Sequence, residues 1–125
     1  MDVVYRVLVV DEEESLRLTI IRSLEGDGHQ VVMAQNGKEA LRSLARQDFD
    51  LIITGIVMPE MDGIELLRAL RRRQAKPRVI VIAGDQVGSV SYLSIARILG
   101  ADATLSKPVL PSALKKEIER VMGAT

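Results

Sequence analysis

Cysteine and tryptophan are absent, and the only aromatic residues among 125 are Tyr5, Phe49 and Tyr92. Without cysteine there is no disulfide framework, no zinc knuckle and no thiol nucleophile, a pattern that fits a reducing compartment. So few rings leave little to stack a flavin, and neither a Gly-x-Gly-x-x-Gly after the first strand nor a Walker sequence is present. Net charge is also lacking: 17 Lys and Arg balance 17 Asp and Glu. Dedicated nucleic-acid binding is therefore not expected. No apolar run approaches membrane-spanning length, and Met1-Asp2-Val3-Val4-Tyr5-Arg6 lacks a basic region followed by a cleavable apolar stretch. A soluble, cytoplasmic domain with no membrane partner is expected.

What remains is an aliphatic chain of single-domain size. The hydrophobic fraction is 47% and almost wholly aliphatic, which suits helices packed on a parallel sheet and suffices for a core without covalent staples. Residues 1–125 read as one domain without repeats or linkers. The organising segment is Leu51-Ile52-Ile53-Thr54, a short apolar run between Asp50 and Gly55. It has the character of a central parallel strand covered on both faces. Such a strand ends at the rim where open α/β sheets build their sites.

Around it the chain alternates. Arg6 to Val10 is an apolar strand that runs into Asp11-Glu12-Glu13, acids that a helix N-terminus stabilises by about 0.3–1 kcal/mol each. A helix over 15–24 presents Leu16, Ile20 and Leu24 on one face and stops at Gly26-Asp27-Gly28. A strand over 29–34, the turn Gln35-Asn36-Gly37 and a helix over 38–46 with Ala40, Leu41 and Leu44 inward come next. After the central strand a third helix starts at Asp62, with Glu65 completing a box-like cap, and Ile64, Leu67 and Leu70 form its apolar face. The cluster Arg71-Arg72-Arg73 at its end complements the helix dipole.

Beyond Pro77 come a strand over 79–83, the loop 84–89 and a helix with Tyr92, Ile95, Ala96 and Leu99 on its face and Gly100 as its stop. A short strand over 103–106 precedes a last helix opened by Pro111, with Leu114, Ile118 and Val121 inward. Strands and helices in strict alternation predict an α/β fold: a three-layer, doubly wound, five-stranded parallel sheet with five helices and right-handed crossovers.

The segment after the central strand is more specific. The apolar strand, Met58-Pro59 and Met61-Asp62-Gly63 resemble the phosphoacceptor segment of bacterial response-regulator receiver domains, and Asn36-Gly37 and Lys107-Pro108 extend the likeness over essentially the whole chain. The resemblance implies a flavodoxin-like receiver fold with strand order 2-1-3-4-5, which brings Asp11, Glu12 and Gly55 to one rim. Receivers move a phosphoryl group from phosphohistidine to aspartate, using a carboxylate nucleophile, a divalent ion and a facing cation. Carried over, the resemblance places the acidic metal pair on Asp11 and Glu12, the phosphate-facing lysine on Lys107, the hydroxyl switch on Ala83, its usually aromatic partner on Thr104 and the acceptor position on Gly55.

The departures from the pattern matter most. Gly55 can neither attack phosphorus nor ligate a metal, Ala83 has no hydroxyl, and Thr104 has no ring. Without a third carboxylate Mg²⁺ keeps most of its water and binds weakly, so no cofactor is required. Lys107 is expected to pair with Asp11 or Glu12; metal binding at the rim and a phosphoryl contact are the other two readings. Asp62 and Asp85 are candidate substitute acceptors and, more simply, a helix cap and a loop acid. A glycine at 55 could serve only the turn, or be a laboratory substitution in a working receiver. One engineered change leaves Ala83 and Thr104 unexplained, so natural divergence is favoured.

Three functions compete. The leading one is a pseudo-receiver, a non-enzymatic interaction module of two-component or phosphorelay signalling. Its partner would be a histidine kinase or an output domain. The resemblance puts its partner surface on the fourth helix, fifth strand and fifth helix. Val87, Val90 and Tyr92 are the candidates there, and a homodimer through the same surface is a further expectation. For Tyr92, packing against the sheet is the alternative. The second function is a switch worked by another acceptor, or by a metal or anion in the space left beside Asp11, Glu12 and Lys107. The third, a nucleotide or flavin enzyme, lacks its motifs, and His29 begins a strand away from the acidic rim.

Overall fold

The computed structural model describes residues 3–56, 61–74, 76–84 and 92–123, with the side chains of 92 and 93 outside the description. The order of elements is β1 (Arg6–Val10), α1 (Glu14–Gly26), β2 (Gln30–Ala34), α2 (Gly37–Arg46), β3 (Leu51–Gly55), α3 (Gly63–Arg71), β4 (Arg78–Ala83), α4 (Tyr92–Ile98), β5 (Ala103–Ser106) and α5 (Pro111–Met122). The strands pair in parallel in the order β2-β1-β3-β4-β5. The chain steps from β1 to one edge, crosses back to β3 and moves on to the other edge. Crossovers of one hand therefore put α1 on the opposite face from α2, α3 and α4.

Two apolar layers follow from the period-two alternation of the strands. Leu8, Val10, Ile52, Val79 and Val81 meet Ala40 and Leu44 of α2, Leu66, Leu67 and Leu70 of α3 and Ala96 of α4. Val7, Val9, Leu51, Ile53, Ile80 and Ile82 meet Ile20 and Leu24 of α1 and Leu114, Ile118 and Val121 of α5. Every residue of β3 is buried. That is why it reads as an unbroken apolar run rather than an alternating one.

Local chemistry sets the helix ends. Asn36 Oδ1 accepts from Glu39 N at 2.9 Å, and Glu39 Oε1 in turn accepts from Gln35 N at 3.2 Å. Asp62 Oδ1 accepts from Glu65 N at 3.0 Å, as the Asp62–Glu65 spacing predicts. Gly100 ends α4 with φ +101°, and Ala101 N reaches back to Ala96 O at 2.9 Å.

Two details differ from the sequence expectation. The stripe Leu16, Ile20, Leu24 does pack on the sheet, with Leu16 half-buried against the same apolar layer, but α1 also turns the charged Arg17 inward and buries it. The arginines after α3 also serve its neighbours. Arg73 Nη2 donates to Leu44 O near the C-terminus of α2 at 3.4 Å, and Arg71 lies against Gly100 at the end of α4.

Candidate functional site

Register brings the ends of four strands to one rim. Val10 pairs with Thr54, so Asp11 stands opposite Gly55. Gly55 pairs with Ile82, which sets Ala83 one residue further along β4. Ala83 pairs with Ser106 and accepts from Lys107 N at 3.0 Å, which fixes the start of the Lys107 side chain. Of the Asp11, Glu12 and Gly55 rim that the resemblance implies, Asp11 and Gly55 stand side by side, and Ala83 and Lys107 end the next two strands at the same rim.

Asp11 is its most constrained member. The residue is only 4% exposed, and each of its polar groups is engaged. Its N–H donates to Ala34 O at 3.2 Å, and its carbonyl accepts from Arg17 Nη1 at 2.8 Å. Oδ1 accepts from Glu13 N at 2.9 Å, and Oδ2 lies 3.9 Å from Lys107 Nζ. Lys107 Nζ also lies 3.6 Å from Glu13 Oε2. The expectation of a Lys107 pair with Asp11 holds, whereas Glu13 takes the place expected for Glu12. The bond from Glu13 N to Asp11 Oδ1 curls the turn so that residue 13 faces Lys107, and Glu12 is left exposed.

At Gly55 itself the space expected beside Asp11, Glu12 and Lys107 is taken up by Asp11. A Cβ at Gly55 would stand 2.6 Å from Asp11 Oδ2 and 3.3 Å from its Cγ. The Asp11 carboxylate thus occupies the ground where a side chain at 55 would begin, held by Glu13 N on one oxygen and by Lys107 on the other. The Gly55 peptide itself is pinned. Its carbonyl accepts from Thr54 Oγ1 at 2.8 Å, and Gly63 at the start of α3 packs directly on that carbonyl while donating its N–H to Ile56 O at 2.7 Å.

These residues do not fit a divalent-ion site. Asp11 is committed to Glu13 N and Lys107, Glu12 is exposed, and Gly55 offers no oxygen from a side chain. No group of three or more His, Cys, Asp or Glu side chains that could hold a metal occurs among the described residues.

The remaining sequence candidates fall as follows. Ala83 is buried at the end of β4, and the Thr104 hydroxyl accepts from Arg97 Nη2 at 3.2 Å. Asp62 is used as the α3 cap. His29 sits at the opposite end of the sheet, where its Nδ1 accepts from Tyr5 N at 3.1 Å and its ring stacks on Tyr5. Asp85, Val87, Val90 and the Tyr92 side chain lie outside the described residues, as do Met58 and Pro59. An open cavity of about 480 Å³ adjoins the rim, lined by Glu13, Ser15, Leu16, Thr19, Gly84, Lys107, Pro108 and Val109.

Sequence reasoning missed Arg17. Its position three before Ile20 and seven before Leu24 places it on the same helical face, and that spacing is the signal that could have found it. Glu13 was seen as one acid of three, with nothing in the spacing to single it out.

Comparison with known proteins follows the same lines. A family model described as the response regulator receiver domain matches residues 7–119. The chain is 32% identical over 124 residues to the response regulator receiver protein CpdR of Brucella abortus, covering 95% of this chain and 98% of that protein. It is 29% identical over 117 residues to the alkaline phosphatase synthesis transcriptional regulatory protein PhoP of Bacillus subtilis, covering 94% of this chain and 48% of PhoP. The chain thus spans about half the length of that relative. Among solved structures, the chemotaxis response regulator CheY4 of Vibrio cholerae superposes with a TM-score of 0.85 at 30% identity, covering 95% of this chain and 99% of that one.

Proposed function

The chain belongs to the response regulator receiver domain family, and from that premise we propose that it works in two-component signalling by binding another protein, without phosphorylation at position 55. The observation that carries the proposal is the end of β3. There the strand offers Gly55 beside a buried Asp11 and across from Lys107, where a receiver would present its accepting aspartate. Phosphoryl transfer needs a nucleophile at that point, and glycine has none.

Two further positions support the same reading. Ala83 has no hydroxyl to follow an incoming phosphoryl group, and the Thr104 hydroxyl is already bound to Arg97. On this reading the domain is not an enzyme and needs no cofactor, and Mg²⁺ would associate only weakly. Its partner is a histidine kinase or an output domain. The proposed docking surface is the face of α4, β5 and α5. Ile98 at the end of α4 is 78% exposed and Leu110 at the N-cap of α5 is 61% exposed, and both are apolar side chains that a partner on this face would cover. A homodimer through this face is part of the same proposal.

The test is a set of backbone amide spectra recorded before and after adding a small phosphodonor with Mg²⁺. Unchanged shifts for Ser106 to Leu110 are expected, and a new set of resonances there would sink the proposal.

A second reading draws on the cavity beside Lys107 and treats the rim as responsive to a small ligand. Titration with phosphate or Mg²⁺ alone separates the two: saturable shifts of Glu13, Ser15 and Lys107 at millimolar levels favour the ligand, and flat ones dismiss it.

A further inference from the structure

We infer that Gly55 and Asp11 act as one unit: the absence of a side chain at 55 admits the Asp11 carboxylate, which then serves as a built-in anion for Lys107. The inference rests on the reading of position 55 given above and deepens it, because it names what holds the rim in place of a phosphoryl group.

The geometry is specific to glycine. Among the described residues beyond its chain neighbours, the only atoms closer than ordinary contact to a Cβ at 55 are Asp11 Oδ2 at 2.6 Å and Asp11 Cγ at 3.3 Å, and the nearest backbone atom, Val10 O, is 3.9 Å away. Among those residues a methyl group at 55 thus presses on one carboxylate and on no backbone. That carboxylate cannot turn aside without cost, because Oδ1 holds Glu13 N at 2.9 Å and Oδ2 faces Lys107 Nζ at 3.9 Å. Displacing it loosens both ends of the connection between the β1–α1 turn and the β5–α5 turn.

Lys107 is the hub of that connection. Its ammonium lies between Asp11 and Glu13, and its amide is bonded to Ala83 at the end of β4. A cation opposite a bare strand end would otherwise be drawn to solvent or to a bound anion. Here an anion of the chain itself is in place. Lys107, and the turn that leads to α5, are therefore held in one arrangement with no added group, and Asp11 acts as a positioning residue for Lys107.

The test is a double-mutant cycle of Gly55→Ala and Asp11→Ala in the full chain, read by the amide shifts of Glu13 and Lys107 and by the Lys107 side-chain carbon shifts. Gly55→Ala alone is expected to move all three. The same substitution in the Asp11→Ala background is expected to move none of them, because the group it would strike is gone. Asp11→Asn keeps the shape and loses the charge, so it guards against a misfolded Asp11→Ala. It is expected to shift the Lys107 side chain while leaving the Glu13 amide bonded. Equal shifts from Gly55→Ala in both backgrounds, or no shift at Lys107 in either, would overturn the inference. The cycle contains no phosphodonor. A native chain that accepted phosphate would therefore refute the proposed function and leave the coupling intact, whereas additivity would refute the coupling alone.

Discussion

Arg17, a residue only 7% exposed, donates a 2.8 Å hydrogen bond from Nη1 to the main-chain carbonyl of Asp11. An arginine this deep has given up its hydration, and its Nε finds no acceptor among the described residues. What it returns is the packing of its stem under α1 and the fixing of the turn that carries Asp11. Arg17→Ala is expected to lower stability by about 2–3 kcal/mol, combining a hydrogen bond from a charged donor with lost packing. Arg17→Lys is expected to recover little of it, since a compact ammonium lacks the planar fork. Urea unfolding of the three proteins checks both statements.

The glycines should separate sharply. A Cβ at Gly63 would overlap the Gly55 carbonyl and come within 2.8 Å of Ile56 Cα, all backbone that cannot swing away. Gly63→Ala is expected to destabilise by about 1–3 kcal/mol or more through overpacking. Gly26 closes α1 with nothing among the described residues within 4 Å of such an atom. There alanine is expected to stabilise by about 0.4–1 kcal/mol by restricting the unfolded chain. Thermal or urea midpoints moving in the same direction for both would refute this account of the β3–α3 junction.

Caps give a quieter contrast. Asn36 and Asp62 each accept a hydrogen bond from the residue three positions on, whereas Glu13, the N-cap of α1, makes no such bond. Asn36→Ala and Asp62→Ala are each expected to cost about 1 kcal/mol. Glu13→Ala should lose an exposed hydrogen bond from Ser15 Oγ and a partly exposed ion pair with Lys107, together about 0–1 kcal/mol. Salt distinguishes the two kinds of loss: the Glu13 effect should shrink at high ionic strength, and the Asn36 effect should not.

The fold was legible because its signals are local and periodic. The apolar runs at 7–10, 51–54 and 79–83, the Asp62–Glu65 pair and Pro111 each state their own structure, and the observed bounds differ by a residue or two. Strand order was not in the periodicity, because nothing in an apolar run says which strand lies beside it; it came from the resemblance. The rim was legible in membership and not in detail. Asp11 and Lys107 meet as expected, but the swap of Glu13 for Glu12 depends on how a three-residue turn curls. The filled space at Gly55 depends on the rotamer of a neighbour from another strand. Arg17 was lost for a simpler reason. Charge reads as exposure, and a stem that packs while its head group bonds to a carbonyl defeats that rule.

The proposed partner face predicts a dissociation of stability from binding. Ile98 and Leu110 are exposed and alanine caps a helix no better than leucine, so Ile98→Ala and Leu110→Ala should each change folding stability by less than about 0.5 kcal/mol. If the face of α4, β5 and α5 docks a histidine kinase or an output domain, both substitutions should weaken that complex at least about tenfold, an effect of about 1.4 kcal/mol. Titration calorimetry with the candidate partner reads the change, and unaltered affinity in both variants would move the docking surface elsewhere.

The most direct measurement is an intact mass spectrum of the native chain and of Gly55→Asp after incubation with a small phosphodonor and Mg²⁺. The account predicts a native chain of unchanged mass and a variant that gains one phosphoryl group, because the aspartate displaces Asp11 and restores the missing nucleophile opposite Lys107. A phosphoryl group on the native chain would contradict it, since some other residue of the rim would then be accepting what Gly55 cannot.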